Sequence, residues 1–448
     1  MRRSSGGLSV PYRTEALPRT PEVHEVRDES TLAPITAGPG GVVMRAGRLA
    51  HVHNVEDMRS LARRRLPRAV FDIVDGGAGD EVTLRRNRES LDRIVLRPRA
   101  LADVTKVDTT TTILGDQVSV PFMLAPCSSA RMCHSASEPA VARAAGRLGT
   151  AFAVAGGASE KPEVIAKSAT GPLWYQVYMK PEHRANVELI DRVEGAGYRV
   201  LCVTVDSAIK PYREKDLRNR VGIPLKISPQ LVLAGASRPL WARDYLLGSA
   251  GLGRVAAKLD PRSRRGGGTS APAPDAQAGP AVDVLAAKRA YDNLADAISH
   301  VKSVTPEDIR WLRERWDGPL VVKGILRADE VPMLVDMGVD GIVVSNHGGR
   351  NMDGAPATID VLGEVVDAAA GRAEVFLDSG VRRGADVVRA VALGAQAVLV
   401  GRPYMYALAA AGEAGVDRVL DLLRNEVVRV MSQLGAASVA DIDSSLVG

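Results

Sequence analysis

Between residues 120 and 400, short apolar runs recur along the chain, each followed by a longer segment whose apolar residues return every three or four positions. The runs are Phe122–Ala125, Ala151–Val154, Leu173–Tyr178, Val200–Val205, Leu320–Lys323, Gly341–Val344, Glu374–Leu377 and Ala397–Val400. Runs this short and this continuously apolar predict strands buried on both faces, as in a covered parallel sheet. The segments Glu138 to Leu148, Ala185 to Gly195, Ala328 to Met337 and Ala385 to Leu393 predict helices between them. Eight such alternations predict an α/β protein built as a closed (β/α)8 TIM barrel. An open dinucleotide-binding sheet fits less well, because no Gly-x-Gly-x-x-Gly follows the first run.

The flanks modify this picture. Residues 1–50 scatter Pro, Gly, Arg and Thr without periodicity and predict a flexible N-terminal arm. Order is expected from Asn54, an N-cap with Asp57 three residues on, followed by Val55, Met58, Leu61 and Ala62 on one helical face. A second N-terminal helix is expected from Pro67, and residues 51–448 form the barrel domain. Roughly 110 residues separate the fourth and fifth strands, predicting an insertion over about 225–300. Its stretch 262–281, rich in Gly, Pro, Ala and Arg, is expected to be disordered. Leu231 to Lys258 is partly amphipathic, with Leu240, Trp241, Tyr245, Leu246 and Leu247 among arginines. A lid over the barrel mouth, a membrane-surface patch and a subunit contact are all open for it.

Composition narrows the class. The 448 residues are 46% hydrophobic and 25% charged, which is globular. The net charge of +5 is spread among mixed signs without a basic tract interleaved with aromatics, so nucleic acid is not an expected partner. Cys127, Cys133 and Cys202 lack CxxC spacing and read as small buried thiols rather than metal ligands. No apolar stretch follows Met1-Arg2-Arg3, and no run is long enough to span a membrane. The expectation is a cytoplasmic protein without membrane association.

The chemistry concentrates where strands end. The sixth run is followed by Ser345-Asn346-His347-Gly348-Gly349-Arg350-Asn351-Met352-Asp353, a base and a fixed cation on a glycine-bearing turn. By itself the segment leaves a solvated polar turn open as the lesser reading. In a barrel, however, the C-terminal strand ends form the site. The others carry Pro126 and Ser128, Gln176 and Tyr178, Thr204 and Asp206 with Arg213 beyond, Lys323, Asp378 to Arg382, and Gly401-Arg402. Gly380 with Arg382 and Gly401 with Arg402 follow the seventh and eighth strands, the usual phosphate seat of such barrels. Lys323, in the mouth, needs an anionic partner: either a structural carboxylate, Asp378 or Asp206, or a cofactor that becomes anionic.

These residues, with Thr109–Gly115, Val322–Gly324 and Leu377–Gly384, resemble the FMN-dependent α-hydroxy-acid oxidase and dehydrogenase family, which includes glycolate oxidase, lactate oxidase and mandelate dehydrogenase. The resemblance runs from about Asn54 to the C-terminus, apart from the insertion. It implies FMN across the barrel mouth, with the phosphate on Gly380, Arg382, Gly401 and Arg402. It implies Lys323 at the N1/O2 edge of the flavin, Gln176, Thr204 and Ser345 on the ring, and Asp378 on the ribityl chain. Pro126 and Ser128 would lie beside N5. It further implies His347 as the base, Asp206 as its orienting partner, Arg213 and Arg350 as a carboxylate clamp, and Tyr178 on the substrate hydroxyl. A homotetramer and electron transfer to oxygen, a quinone or another carrier are also implied. An isomerase of the type 2 isopentenyl diphosphate kind and a flavin-holding protein without turnover are the alternatives; neither needs this base and clamp. Three positions depart from the family pattern: Ile73 stands where a substrate-binding tyrosine is usual, Ala155-Gly156-Gly157 where a serine is common, and Ser128 where alanine or glycine is frequent. The flavin site is thus expected intact and the substrate pocket, with Ile73 as an apolar wall, altered toward a larger molecule.

Overall fold

The computed structural model describes residues 49–209, 211–219, 229–245 and 302–448. Eight parallel strands close into a barrel: β1 (Phe122–Leu124), β2 (Phe152–Val154), β3 (Leu173–Val177), β4 (Val200–Thr204), β5 (Leu320–Ile325), β6 (Gly341–Val344), β7 (Glu374–Leu377) and β8 (Ala397–Val400). Closure is through β8 and β1, which pair Val398 with Phe122 and Val400 with Leu124. All eight predicted runs are these strands.

The period-two alternation of a strand divides each run between two cores. Met123, Ala153, Trp174, Cys202, Val321, Val343, Phe376 and Leu399 fill the barrel interior. Their neighbours Leu124, Phe152, Tyr175, Val203, Val322, Val344, Leu377 and Val400 belong to the larger core shared with the helices. Both sets are buried, so the runs read as continuously apolar. The same alternation carries past the strand ends. Two residues after Trp174, Cys202, Val321, Val343 and Phe376 come Gln176, Thr204, Lys323, Ser345 and Asp378. These five polar residues, all buried, make the next inward layer.

The expected N-terminal helices are present at Val55–Arg65 and Arg68–Asp75, and a third spans Val82–Arg93. Asn54 Oδ1 accepts from the Asp57 amide at 2.9 Å, as the predicted cap requires, and Asp57 Oδ2 accepts from His53 N, one residue before the cap, at 2.9 Å. The helix expected over Ala328 to Met337 is instead a 3₁₀ turn at Ala328–Glu330 leading into Val331–Asp336. Pro332, which lacks an amide donor, occupies the opening turn of the second piece. At the opposite end of the barrel, the hairpin Thr111–Ile113/Asp116–Val118 puts Ile113 and Val118 into the interior core. A cavity of about 630 Å³ there, lined by Leu114, Asp340, Glu374 and Gln396, faces away from the strand ends that carry the chemistry.

Within the expected insertion, Pro229–Ala236 and residues 239–245 are helical. The segment expected to be disordered, 262–281, and nearly all of the expected arm lie outside the described residues. No described helix is long and apolar enough to cross a membrane.

Candidate active site

The inward polar layer is hydrogen-bonded from strand to strand. Lys323 Nζ meets Asp378 Oδ2 at 2.9 Å and Ser345 Oγ at 2.8 Å. Gln176 Nε2 donates to Thr204 Oγ1 at 2.8 Å, and its Oε1 accepts from Gly156 N at 3.1 Å. Lys323 is 4% exposed. Burial alone would lower its pKa, but Asp378 and Asp206 outweigh that and hold it above the ordinary lysine value. Of the two answers open for this lysine, a structural carboxylate is therefore present, in Asp378, and the ammonium stays charged.

The β6 loop is fixed at almost every residue. Ser345 Oγ accepts from His347 N at 3.1 Å, and Gly348 N donates to Ser379 Oγ at 2.9 Å. His347 itself takes a left-handed backbone, φ 58°, a conformation that an ordinary side chain keeps only where its surroundings impose it. Asn346 exchanges two amide hydrogen bonds with Asn87 at 2.7 and 2.9 Å, and Asn351 Nδ2 donates to Asp206 O at 3.0 Å. Asp353 closes the loop by capping the helix Val82–Arg93, accepting from Asp80 N and Thr83 N.

This scaffold brings His347 to Asp206. The imidazole Nδ1 lies 3.1 and 3.3 Å from the two carboxylate oxygens, which leaves Nε2 for other chemistry. Burial would raise the Asp206 carboxyl, but His347, with Lys323 and Ser207 behind it, brings it down to about 2. The approach needs Gly324, where β5 shifts register against β6 at φ 116°; a Cβ there would stand 2.7 Å from Asp206 Cβ. Tyr178 lies nearby, its phenol pKa raised by burial against the opposing pull of Lys323.

The cations gather beside this pair. Arg350 donates to Ile73 O at 2.6 Å and Gly76 O at 3.1 Å. Burial and the neighbouring Arg213 and Arg402 push its guanidinium down to about 9. Arg213 Nε pairs with Asp216 Oδ2 at 2.9 Å. Arg402 gives three bonds to main-chain oxygens, those of Val74, Gly76 and Gly348 at 2.8 to 3.0 Å. Arg382, donating to Val381 O, is pushed down to about 10, mainly by burial, with Arg402 and Arg88 adding to it. Gly380, φ 89°, passes so close to the helix Val82–Arg93 that a Cβ would sit 2.7 Å from Asn87 O. Lys323, Arg213, Arg350, Arg382 and Arg402 thus line this face of the barrel mouth, Lys323 buried and the four arginines partly buried.

The arrangement fits FMN. Lys323 supplies a permanent cation within the mouth, and Arg382, at the strand-seven loop, donates from Nη1 to Val381 O and keeps further donors for a ligand among the described residues. Gln176 and Ser345 present polar edges, and Pro126 and Ser128 stand partly open at the end of β1. Ser129 Oγ, next in that loop, is buried and has no hydrogen-bond partner among the described residues. Arg402 has used three of its five N–H donors on carbonyls. The side chain of Ile73 is 2% exposed in the apolar core, and its carbonyl meets Arg350.

Asn346, Asn351, Asp353 and Ser379 lie in segments that the sequence marks, without roles of their own there, and Asn87 lies outside them. One signal was available: Thr83, Asn87, Ser90 and Leu91 are spaced as one buried helical face, and a buried stripe with three polar members must be hydrogen-bonding to something.

Comparison with known proteins places the fold and the family. The model of the FMN-dependent dehydrogenase family matches residues 62–448. A glycolate oxidase of Oryza sativa subsp. japonica is 37% identical over 395 residues, covering 88% of this chain and 95% of the relative. An L-lactate oxidase of Nostoc sp. is 36% identical, covering 88% and 97%. Among solved structures, the monotopic membrane protein (S)-mandelate dehydrogenase superposes with a TM-score of 0.77 at 32% identity, covering 89% of this chain and 99% of the other. A mandelate oxidase superposes at 0.70 with 33% identity, covering 89% and 98%. The barrel, the matched length and these relatives together make the chain a member of the FMN-dependent dehydrogenase family, oxidoreductases that act on the CH–OH group of 2-hydroxy acids.

Proposed function

We propose that the protein oxidises a 2-hydroxy acid with a bulky, apolar substituent to the 2-oxo acid, with His347 as base and Arg350 and Arg213 holding the carboxylate. The observation that carries this reading is the His347–Asp206 pair, 3.1 Å apart, set beside two partly uncommitted guanidinium groups. FMN, when bound, supplies the acceptor for the two electrons leaving the α-carbon. Whether the proton leaves from the hydroxyl or from the α-carbon, it arrives at His347 Nε2, because Nδ1 faces Asp206. Asp206 orients the ring and stabilises the imidazolium formed on the way. Arg350 and Arg213 fix the carboxylate so that the α-carbon has one orientation, and Tyr178 receives the hydroxyl. Lys323 is placed for the flavin edge that gains negative charge, with Gln176, Thr204, Ser345 and Asp378 around it. Gly380, Arg382, Gly401 and the spare donors of Arg402 are assigned to the phosphate, and Pro126 and Ser128 to the neighbourhood of N5.

A larger substrate is supported by Ile73, which offers no hydroxyl where the family commonly has one, and by structural neighbours named for mandelate. The test is anaerobic bleaching of the flavin by a panel of hydroxy acids graded in size. Bleaching by the bulky acids is the expected result; no bleaching by any member rejects the reading. Peroxide formed in air, against reoxidation by a soluble quinone, separates the two acceptors. The remaining expectations, a cytoplasmic homotetramer with an N-terminal arm, are tested by light scattering and by fractionation of the producing cells.

A further inference from the structure

The chain between β4 and β5 lands on a loop of the active-site rim. Within helical residues 239–245, Trp241 turns into the protein, where it is 3% exposed and its Nε1 donates to Met132 O at 2.8 Å. Tyr245 stacks on the indole with ring centroids 4.9 Å apart. One turn beyond Trp241, Asp244 accepts from both the amide and the hydroxyl of Ser135, at 3.0 and 2.5 Å. Its oxygens also lie 3.3 Å from Arg65 Nη2 and 3.8 Å from His134 Nδ1. Trp241 and Asp244, three residues apart, share one helix face, and both grip residues 132–135.

Residues 132–135 continue the segment that begins at Pro126. On its other side this loop is held from β2 and the following helix: Ser129 N donates to Gly157 O at 3.1 Å, Ala130 N to Glu138 Oε1 at 3.2 Å and Arg131 N to Ser159 Oγ at 3.1 Å. Within the first of these grips, Ser129 keeps a left-handed backbone, φ 64°, with its hydroxyl buried and without a hydrogen-bond partner among the described residues. A serine persists there only when its surroundings dictate the conformation. Docking of the insertion as such requires only the apolar side chain of Trp241. The bonds that Trp241 Nε1 and Asp244 make go beyond that, and fix the rim loop in place.

We propose that Asp244 and Trp241 are positioning residues, through which the insertion braces the Pro126–Ser129 segment against the cofactor site. The inference rests on the reading that this segment flanks the flavin. It assigns the described part of the insertion a role in setting the cofactor's environment.

Two conservative substitutions test it in the full-length, FMN-loaded protein. Asp244→Asn keeps shape and removes charge; Trp241→Phe keeps an aromatic ring and removes the Nε1 donor together with part of the indole's packing on Tyr245. Each is compared with the parent by visible absorbance and circular dichroism of the flavin, by FMN retention on dialysis, and by the rate of anaerobic reduction per bound flavin. The brace predicts an altered visible spectrum, FMN affinity weakened about tenfold, and a slower limiting rate. It also predicts an unchanged substrate Kd, because Arg350 and Arg213 follow other strands. Variants that only melt earlier, with the parent spectrum and the parent rate per flavin, overturn the proposal. If Asp244→Asn does not fold, Trp241→Phe decides by the same criteria. Should no hydroxy acid reduce the parent, the proposed reaction fails, while the spectrum and FMN retention still decide the brace.

Discussion

Arg350 Nη1 donates to the carbonyl oxygen of Ile73 at 2.6 Å, so a cation of the β6 loop is held by the C-terminal turn of the helix Arg68–Asp75. Gly76 O takes a second bond from the same nitrogen, and Arg402 occupies Val74 O and Gly76 O. The last carbonyls of a helix have no partner within it and carry partial negative charge. They suit Arg350, whose guanidinium is pushed down to about 9 by burial and by the neighbouring Arg213 and Arg402.

Arg350→Lys should therefore be severe although charge is conserved. An ammonium reaches one carbonyl or one carboxylate oxygen but cannot bridge them as a planar fork does. We expect kcat/KM to fall roughly a hundredfold, with a rise in substrate Kd, on the scale of one lost hydrogen bond to a charged group and its geometry. Stopped-flow flavin reduction measures both. An unreactive carboxylate should raise the Tm of the parent more than that of Arg350→Met, which keeps only Arg213 to hold it.

The His347–Asp206 pair gives a pH prediction. The Asp206 carboxyl, at about 2 in the folded protein, is depressed from about 3.8. Its stabilising contribution is fully present above the ordinary carboxylate range and is lost as pH falls through about 2. Any acid limb of kcat/KM above pH 4 thus belongs to another group. Asp206→Asn should slow reduction at every pH, because the imidazolium formed in turnover loses its anionic partner. His347→Gln should abolish reduction, by about a hundred- to ten-thousandfold, while FMN remains bound. A variant reduced at the parent rate by a verified substrate would remove His347 from its role.

The parts of this molecule legible in the sequence are those that repeat. Eight strands buried on both faces leave continuous apolar runs, and the strand period carries Gln176, Thr204, Lys323, Ser345 and Asp378 into one inward layer. The family motifs then supply roles that no periodicity contains. The cross-links were not legible. Asn87 and Asn346 are 259 residues apart, and Arg350 and Ile73 are 277 apart. A side chain bonding to a distant carbonyl places no demand on the identity of the residue that owns the carbonyl. Asp244 was passed over for the same reason: its amphipathic neighbours showed that the segment packs, while its target, Ser135, lies 109 residues earlier.

Lys323 and Asp378 form a nearly buried ion pair at 2.9 Å, with side chains 5% and 9% exposed. Lys323→Met strands a buried carboxylate, at a cost of about 3–5 kcal/mol, and should lower both Tm and FMN content. Adding Asp378→Asn removes the stranded charge. The double variant should recover most of the lost Tm without recovering flavin reduction, because the cation beside the reduced flavin is still missing. Thermal melts and anaerobic reduction of both variants separate the two contributions; a double variant that reduces normally would show the lysine to be purely structural.

Ile73 joins the apolar core through its side chain and the clamp through its carbonyl. Substitution of the side chain leaves the carbonyl in place, so its effects on substrate choice are separable from those on Arg350. Tyrosine there would add a hydroxyl able to bond a substrate carboxylate, a contribution of roughly 1.5–3 kcal/mol, or about ten- to over a hundredfold in rate if expressed in the transition state. Isoleucine makes no such bond. We expect the parent to reduce poorly with glycolate and lactate and well with acids carrying a large apolar group, and Ile73→Tyr to shift the preference toward the small acids. Ile73→Val is the packing control: it removes one methylene, should cost about 0.5–1.5 kcal/mol of stability, and should leave the order of substrates unchanged. Stopped-flow reduction of the three proteins with glycolate, lactate, mandelate and larger acids gives the answer. Fast reduction of the parent by glycolate, with the bulkier acids slower, would show that the side chain of Ile73 only packs and that another donor holds the small substrate.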